Sequence, residues 1–469
     1  MKTKPGIDFL RVPLLGKFLL WRWGRLLPQL ILFAIALLAI YDGFTGPQLA
    51  PANAATVLIW VDYRGVLILA LLFLGNLFCF ACPFTLPRTL AHRISAAGRR
   101  WPDFLRNKWV SIAVLFLFFW IYELFDLWAD PILTAWLMVI YFILSFLLEA
   151  CFSESPFCKY VCPLGAFNFL HSTISPLQVT TRDREVCREC PGKECVNGSK
   201  DVLGCGTELF VPTIRSNMDC TLCLDCARAC PYGNVSLVPR RSLEELTTSV
   251  WRKRWDLTAL AVGFLFIGLM NAFGMVPPVY ALQEFLYEAG IQSEALRLLL
   301  IFGSGILLLP LLGVSIAAWM SRQLAARDKR ETLKAYATRY APTFVPAGFG
   351  IWLAHYGFHF AIGGLTIAPV LQTFLLDHGL SWLGAKPNWE LSYLIPAGWI
   401  FPLQILALFG GYFGSLYVLG KVALRPELEP VESLKELIPW AIFLTLVIIA
   451  SLLVFNLPME MRGTIMMGT

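Results

Sequence analysis

The chain has 469 residues, 57% of them hydrophobic and only 15% charged, with a mean hydropathy of +0.64. Soluble domains carry about 25% charged residues, so an ordinary soluble globular protein is excluded. The net charge of +6 is modest, and its cations are dispersed over many short segments, which excludes a nucleic-acid-binding patch.

The N-terminus, "MKTKPGIDFLRVPLLGKFLLWRWGRLLP", places Lys2, Lys4, Arg11, Lys17, Arg22 and Arg25 before the first long apolar run. No small-residue cleavage site follows closely, so a retained first span is expected. Its leading residues read as an amphipathic segment on the inner surface. Apolar runs near the ~20 residues needed to cross the hydrocarbon recur at 27–44, 60–80, 109–127, 131–151, 257–279, 296–320, 343–366, 395–420 and 438–457. The fold class expected is an all-α polytopic membrane protein of about nine transmembrane helices, with a cytoplasmic two-cluster ferredoxin-like insert. With loops numbered alternately from an inner N-terminus, only Arg64, Arg297, Lys386 and Arg462 fall on or near the outer side. That asymmetry obeys the positive-inside rule. It sets the N-terminus and residues 152–256 in the cytoplasm, the C-terminus in the periplasm, and the protein in a bacterial inner membrane.

Three consecutive regions follow: a membrane domain at 1–151, a polar, basic, cysteine-rich segment at 152–256, and a second membrane domain at 257–469. All 13 cysteines lie between Cys79 and Cys230. On the reducing face, clustered cysteine more often means metal than disulfide.

The first pair sits in "FCFACPF", Cys79 and Cys82, at the inner end of the second span. A second pair sits in "SPFCKYVCPLGAF", Cys158 and Cys162, just after the fourth. Both spans run outside to inside, so both pairs arrive at one depth. They suit a third iron–sulfur cluster or a single soft metal; a redox dithiol or plain apolar packing are the alternatives. Cys151 is left over.

Next comes "CRECPGKECVNGSKDVLGC", with Cys187, Cys190, Cys195 and Cys205. It is followed by "DCTLCLDCARACPYGNV", with Cys220, Cys223, Cys226 and Cys230. The latter is the C-x2-C-x2-C-x3-C-P run of bacterial ferredoxins, whose fourth cysteine serves the neighbouring cluster. Two [4Fe–4S] clusters are therefore expected. One takes Cys220, Cys223, Cys226 and Cys205; the other takes Cys187, Cys190, Cys195 and Cys230. Arg188, Lys193, Arg215 and Arg228 would raise cluster potential and offer an acidic redox partner a docking face, or else form a solvated basic surface.

Cys-Pro pairs at membrane exits followed by this segment resemble the membrane polyferredoxins of the NapH, NosR and CcoG type, over residues 60–240. The resemblance implies quinol- or ferredoxin-linked electron transfer, or reduction steps in metalloenzyme maturation. The chain differs in its C-x2-C-P first pair, in lacking the flavin-binding domain of NosR and the terminal β-domain of CcoG, and in its five further spans. "HYGFHF" and "LPMEMRGT" are similar to a longer branch of these proteins.

In the seventh span, His355 and His359 stand i, i+4 on one face, and ionisable residues inside a membrane point to function. They suit a quinone site, haem ligation, a metal ion such as copper, or interhelical hydrogen bonding. Asp42, Asp62, Glu123, Asp126 and Asp130 are outer-side acids able to release protons or simply to sit at the interface. Met459, Met461, Met466 and Met467 form a thioether-bearing tail suited to Cu(I) or to nothing. The segment "LQTFLLDHGLSWLGAKPNW" reads as amphipathic on the outer surface. No P-loop, dinucleotide fingerprint or HExxH is present. The function expected is membrane-bound electron transfer between a cytoplasmic redox partner and the quinone pool or an outer acceptor. A copper-handling assembly factor and a structural anchor subunit are the alternatives.

Overall fold

Long apolar runs must satisfy their backbone groups internally, and a helix does this within one segment. The computed structural model describes residues 7–94, 99–152, 155–325, 331–424 and 429–459. Lys2, Lys4, Met461, Met466 and Met467 lie outside them. Among the described residues seven helical segments are long and apolar enough to cross a membrane: Leu26–Thr45, Ala54–Leu74, Pro131–Cys151, Trp255–Phe273, Glu294–Leu324, Trp389–Ala423 and Pro430–Asn456. Leu333–Gly363 and Ile367–Asp377, bent by 49°, make an eighth if they form one span. Ile367–Asp377 is the start of the stretch read as an outer-surface segment. The ninth expected span appears as Trp109–Leu124, which has 16 residues and falls short of the others.

The chain forms two compact units. One comprises residues 1–38, 69–111 and 137–250; the other comprises 39–68, 112–136 and 251–469. This division differs from three consecutive regions, because each of the first four apolar helices has residues in both units.

The first unit holds all 13 cysteines. Its sheet has two antiparallel strands, β1 (Leu177–Thr181) and β2 (Val235–Pro239), in register from Leu177↔Pro239 to Thr181↔Val235. Val179, Val235 and Leu237 enter a core with Val211, Leu222, Leu224 and Phe80. Cys220 and Cys226 belong to that same core, so the sheet is the floor on which the cysteine loop rests.

The second unit is built around Tyr336, Tyr340, Phe344 and Trp440. Tyr340 donates to the buried Glu436 at 2.9 Å, and Arg339 pairs with Glu436 at 3.5 Å. Phe344–Gly363 packs on Ile400–Ala423 through Gly350 and Gly411. A Cβ on Gly350 would meet the Ala407 carbonyl oxygen at 2.6 Å. Small residues allow such close helix approach in membranes, and this contact fixes the helix that carries both histidines.

Candidate functional site

Cys82 and Cys162 occupy equivalent local positions. Each is an N-cap, each has extended backbone, and each is followed by a proline at the first helical position. Proline suits that position because its missing N–H would be unpaired anyway. The Cys162 sulfur accepts from the Gly165 amide at 3.3 Å. Cys158 lies in a π-helical turn, Phe157–Val161, closed by Cys162 N–H to the Phe157 carbonyl at 2.7 Å. Gly165 is required there, since a Cβ would sit 2.3 Å from the Cys158 carbonyl oxygen. Cys79 sits in the short Phe78–Ala81 helix and accepts from the buried Asn168 amide at 3.3 Å.

These four thiols lie within electrostatic reach of one another, and Cys223 also reaches Cys79. Burial holds the Cys158 thiol well above its usual range, and Cys162, Glu149, Cys82 and Cys79 add to the effect. Burial likewise pushes Cys82 up to about 11 and Cys162 up to about 12, opposed in each case by backbone amides. Cys79 is raised by burial and then by Cys82.

The remaining eight ligand candidates fall into two further groups. Cys226 is raised by burial and then by Cys223, Cys205 and Cys220. Cys195 is raised by burial and then by Cys187, Cys230 and Cys190, with the Val211 amide opposing. Cys205 thus lies within electrostatic reach of Cys226, along with Cys220 and Cys223, and Cys230 shares a cavity lining with Cys187, Cys190 and Cys195. Val186, Phe210 and Tyr232 also line this small cavity. Cys220, Cys223 and Cys226 are buried, whereas Cys187, Cys190, Cys195, Cys205 and Cys230 are half-buried.

Amide donors are aimed at the sulfurs. Leu209 N–H donates to Cys205 at 3.3 Å, Asn234 N–H to Cys230 at 3.4 Å, and Asn234 Nδ2 to Cys187 at 3.1 Å. The loop around Cys220 is wound by three non-glycine residues at positive φ: Asp219 (67°), Leu222 (47°) and Leu224 (60°). The left-handed region costs such residues about 1 kcal/mol each or more. That cost is sustained where the backbone must curl around something. Among the described residues no group of three or more His, Cys, Asp or Glu side chains converges tightly enough to hold one metal ion.

Charged residues missed at the sequence level tie the groups together. Asp225 is buried between Arg25 and Arg228, ion-paired to both. Burial works against its ionisation, but the two guanidinium groups outweigh it and hold the carboxyl below the usual range. Arg25 also donates to the Thr85 hydroxyl at 3.1 Å, and both Cys82 and Cys223 lie within its electrostatic reach. Asn76 donates to the Cys220 carbonyl at 2.8 Å, and the buried Lys108 ammonium meets Asp219 at 2.5 Å. Arg228 is turned inward, its side chain only 4% exposed. That corrects its placement on a docking face. Arg188 remains exposed, paired with Glu185. No sequence motif flags Arg25 or Asp225, which are 200 positions apart.

In the second unit, His355 and His359 are both buried. Their Nε2 atoms face each other at 3.1 Å, and His355 Nε2 lies 3.3 Å from the Met275 sulfur. Beside them, a cavity is lined by Trp60, Arg64, Tyr122, Glu123, Trp128, Met275 and His359. The Arg64 guanidinium lies over Trp60 (4.4 Å), Tyr356 (4.9 Å) and Tyr122 (5.0 Å). Two of the acids expected on the outer side are engaged by backbone amides. Asp42 accepts from Ala54 N–H at 2.6 Å, and Asp130 from Leu133 N–H at 2.8 Å. Met459 packs against the core of this unit.

Fold and composition together describe a helical, multi-pass membrane protein. The chain is similar to a protein of Escherichia coli (strain K12) named "Putative electron transport protein YccM", at 26% identity over 120 residues. The aligned stretch is 26% of this chain and 32% of that relative, so the match spans about a third of the relative's length. No protein family and no solved structure matches the chain.

Proposed function

We propose that this protein is a membrane-bound iron–sulfur electron-transfer protein. The observation that carries the reading is the cavity lined by Cys187, Cys190, Cys195 and Cys230, supported by the electrostatic proximity of the other thiols and by amide donors at several sulfurs. Similarity to a protein named for electron transport supports the general role. Cys205, Cys220, Cys223 and Cys226 would hold one [4Fe–4S] cluster. Cys187, Cys190, Cys195 and Cys230 would hold a second, and Cys79, Cys82, Cys158 and Cys162 a third. Bound clusters would supply one-electron chemistry.

The chain's own residues supply the rest. Buried Leu222, Leu224 and Val211 exclude water from the inner set. The N–H donors and the Arg25 charge stabilise thiolate, the form that ligates. The half-buried set at Cys187 and Cys190, beside the exposed Tyr232, suits exchange with a redox partner protein on the cytoplasmic side. The quinone pool is the membrane acceptor we favour. Its support is the buried Arg64 beside Tyr122 and Glu123, since ionisable groups inside a membrane segment point to function.

The test is iron and acid-labile sulfide analysis, with EPR, on chain purified without oxygen. About twelve irons per chain are expected if all three sets are filled, with EPR signals lost on oxidation or reduction. Zinc in place of iron, or a colourless preparation, overturns the reading. Reoxidation of the reduced clusters by added quinone, abolished in R64A, tests the acceptor.

A further inference from the structure

We propose that His355, His359 and Met275 form a binding site for a single Cu(I) ion. Three donor atoms converge there from two separate elements. The histidines stand i, i+4 on Phe344–Gly363, and Met275 lies in the turn between Trp255–Phe273 and Pro277–Glu288. Nε2 to Nε2 is 3.1 Å and Nε2 to Sδ is 3.3 Å. Metal–nitrogen bonds are about 2.0 Å and metal–sulfur bonds about 2.3 Å. One ion at those lengths would subtend about 100° between the two nitrogens and between His355 Nε2 and the sulfur, within the range of tetrahedral or trigonal-pyramidal coordination. The rings already have the required attitude, with centroids 5.0 Å apart and tilted by 46°.

Hydrogen bonding alone accounts poorly for this geometry. Neutral imidazole carries one N–H. If His359 donates to His355, the His355 Nε2 lone pair also faces the thioether lone pairs. If His355 donates, one hydrogen is split between a nitrogen and a weak sulfur acceptor. An ion would replace both contacts with one dative bond from each of the three donor atoms.

The donor set selects the ion. Thioether and imidazole suit Cu(I), while hard divalent ions want carboxylates, and none of the three ligands is anionic. Burial disfavours net charge, and the Arg64 guanidinium shares the adjoining cavity with His359 and Met275. A monovalent ion is therefore the one best tolerated. Glu123 in the same lining offsets part of the positive field. The cavity reaches two of the three ligands and provides an approach to the fourth coordination position.

The inference stands independently of the iron–sulfur reading, because its ligands include no cysteine. Full-length protein, purified without oxygen, is titrated with Cu(I) against a bicinchoninate competitor. H355Q/H359Q should hold one fewer Cu(I) per chain than wild type at equal competitor. M275L should keep that equivalent but bind it at least tenfold more weakly, and the X-ray absorption difference should lose a sulfur scatterer. Leucine replaces methionine with nearly the same volume, so M275L decides the matter even if the double variant fails to fold. Equal copper content in wild type and H355Q/H359Q, or unchanged affinity in M275L, overturns the proposal. Loss of the copper equivalent with iron content unchanged separates this site from the thiol groups.

Discussion

At the scale of single residues, Asn234, just beyond the last cysteine, bonds to two cysteines at once. Its main-chain N–H reaches Cys230, its side-chain amide reaches both Cys187 and the Asp183 carbonyl, and its Oδ1 accepts from Asp183 N–H at 3.0 Å. Hydrogen bonds to cluster sulfurs favour the more negative, reduced state and so raise the potential. N234A should lower the midpoint of one cluster by on the order of tens of mV, leaving iron content near wild type. Redox-poised EPR measures this; an unchanged set of midpoints would show that the contact to Cys187 has no electronic role. The cysteines were legible because their spacing lies within one short stretch and thiolate chemistry is specific to few residue types. Asn234 was not, because an asparagine after Pro-Tyr-Gly reads as a turn residue. Met275 was hidden for a different reason: it stands 80 positions from His355, and methionine in an apolar run reads as filler. Arg228 shows the reverse error, a cation read as surface that the fold spends on a buried carboxylate.

At the scale of elements, the Cys-Pro step is a helix start as well as a proposed ligand position. A sulfur at the N-cap of Pro163–His171 faces the unpaired amides and the positive end of the helix dipole, which favour thiolate. Capping and ligation can be separated. Serine is a strong N-cap and alanine a poor one, a difference of about 1 kcal/mol. C162S and C162A should both lose about four irons per chain, while C162S unfolds at higher denaturant than C162A. Thermal or denaturant melts alongside iron analysis give both readings. Iron retained in C162S would remove Cys162 from the ligands and leave it a cap. The π-helical turn at Cys158 escaped the sequence reading, since a five-residue hydrogen-bond ring has no compositional signature.

For the whole molecule, the undecided element is Trp109–Leu124. Its 16 residues span about 24 Å at 1.5 Å per residue, short of the ~30 Å hydrocarbon. Length alone argues against a crossing, but connectivity argues for one. Cys79 and Cys82 follow the C-terminal end of Ala54–Leu74; Cys158 and Cys162 follow the C-terminal end of Pro131–Cys151. The four thiols lie together, so both helices must finish on one face. The chain between them has to return across the membrane once, and Trp109–Leu124 is the apolar helix available. Local bilayer thinning accommodates such a mismatch at fractions of a kcal/mol per Å. The charges agree. With this crossing, the cation-rich stretches 81–108 and 152–256 share a face, as the positive-inside rule requires; without it they are opposed. Reporter fusions after residues 108, 127 and 200 should therefore alternate, with alkaline phosphatase active only at 127 and a cytoplasmic fluorescent reporter active at 108 and 200. Phosphatase activity at 200 would place the ferredoxin-like cysteines on the oxidising face and break both the topology and the electron-transfer reading built on it.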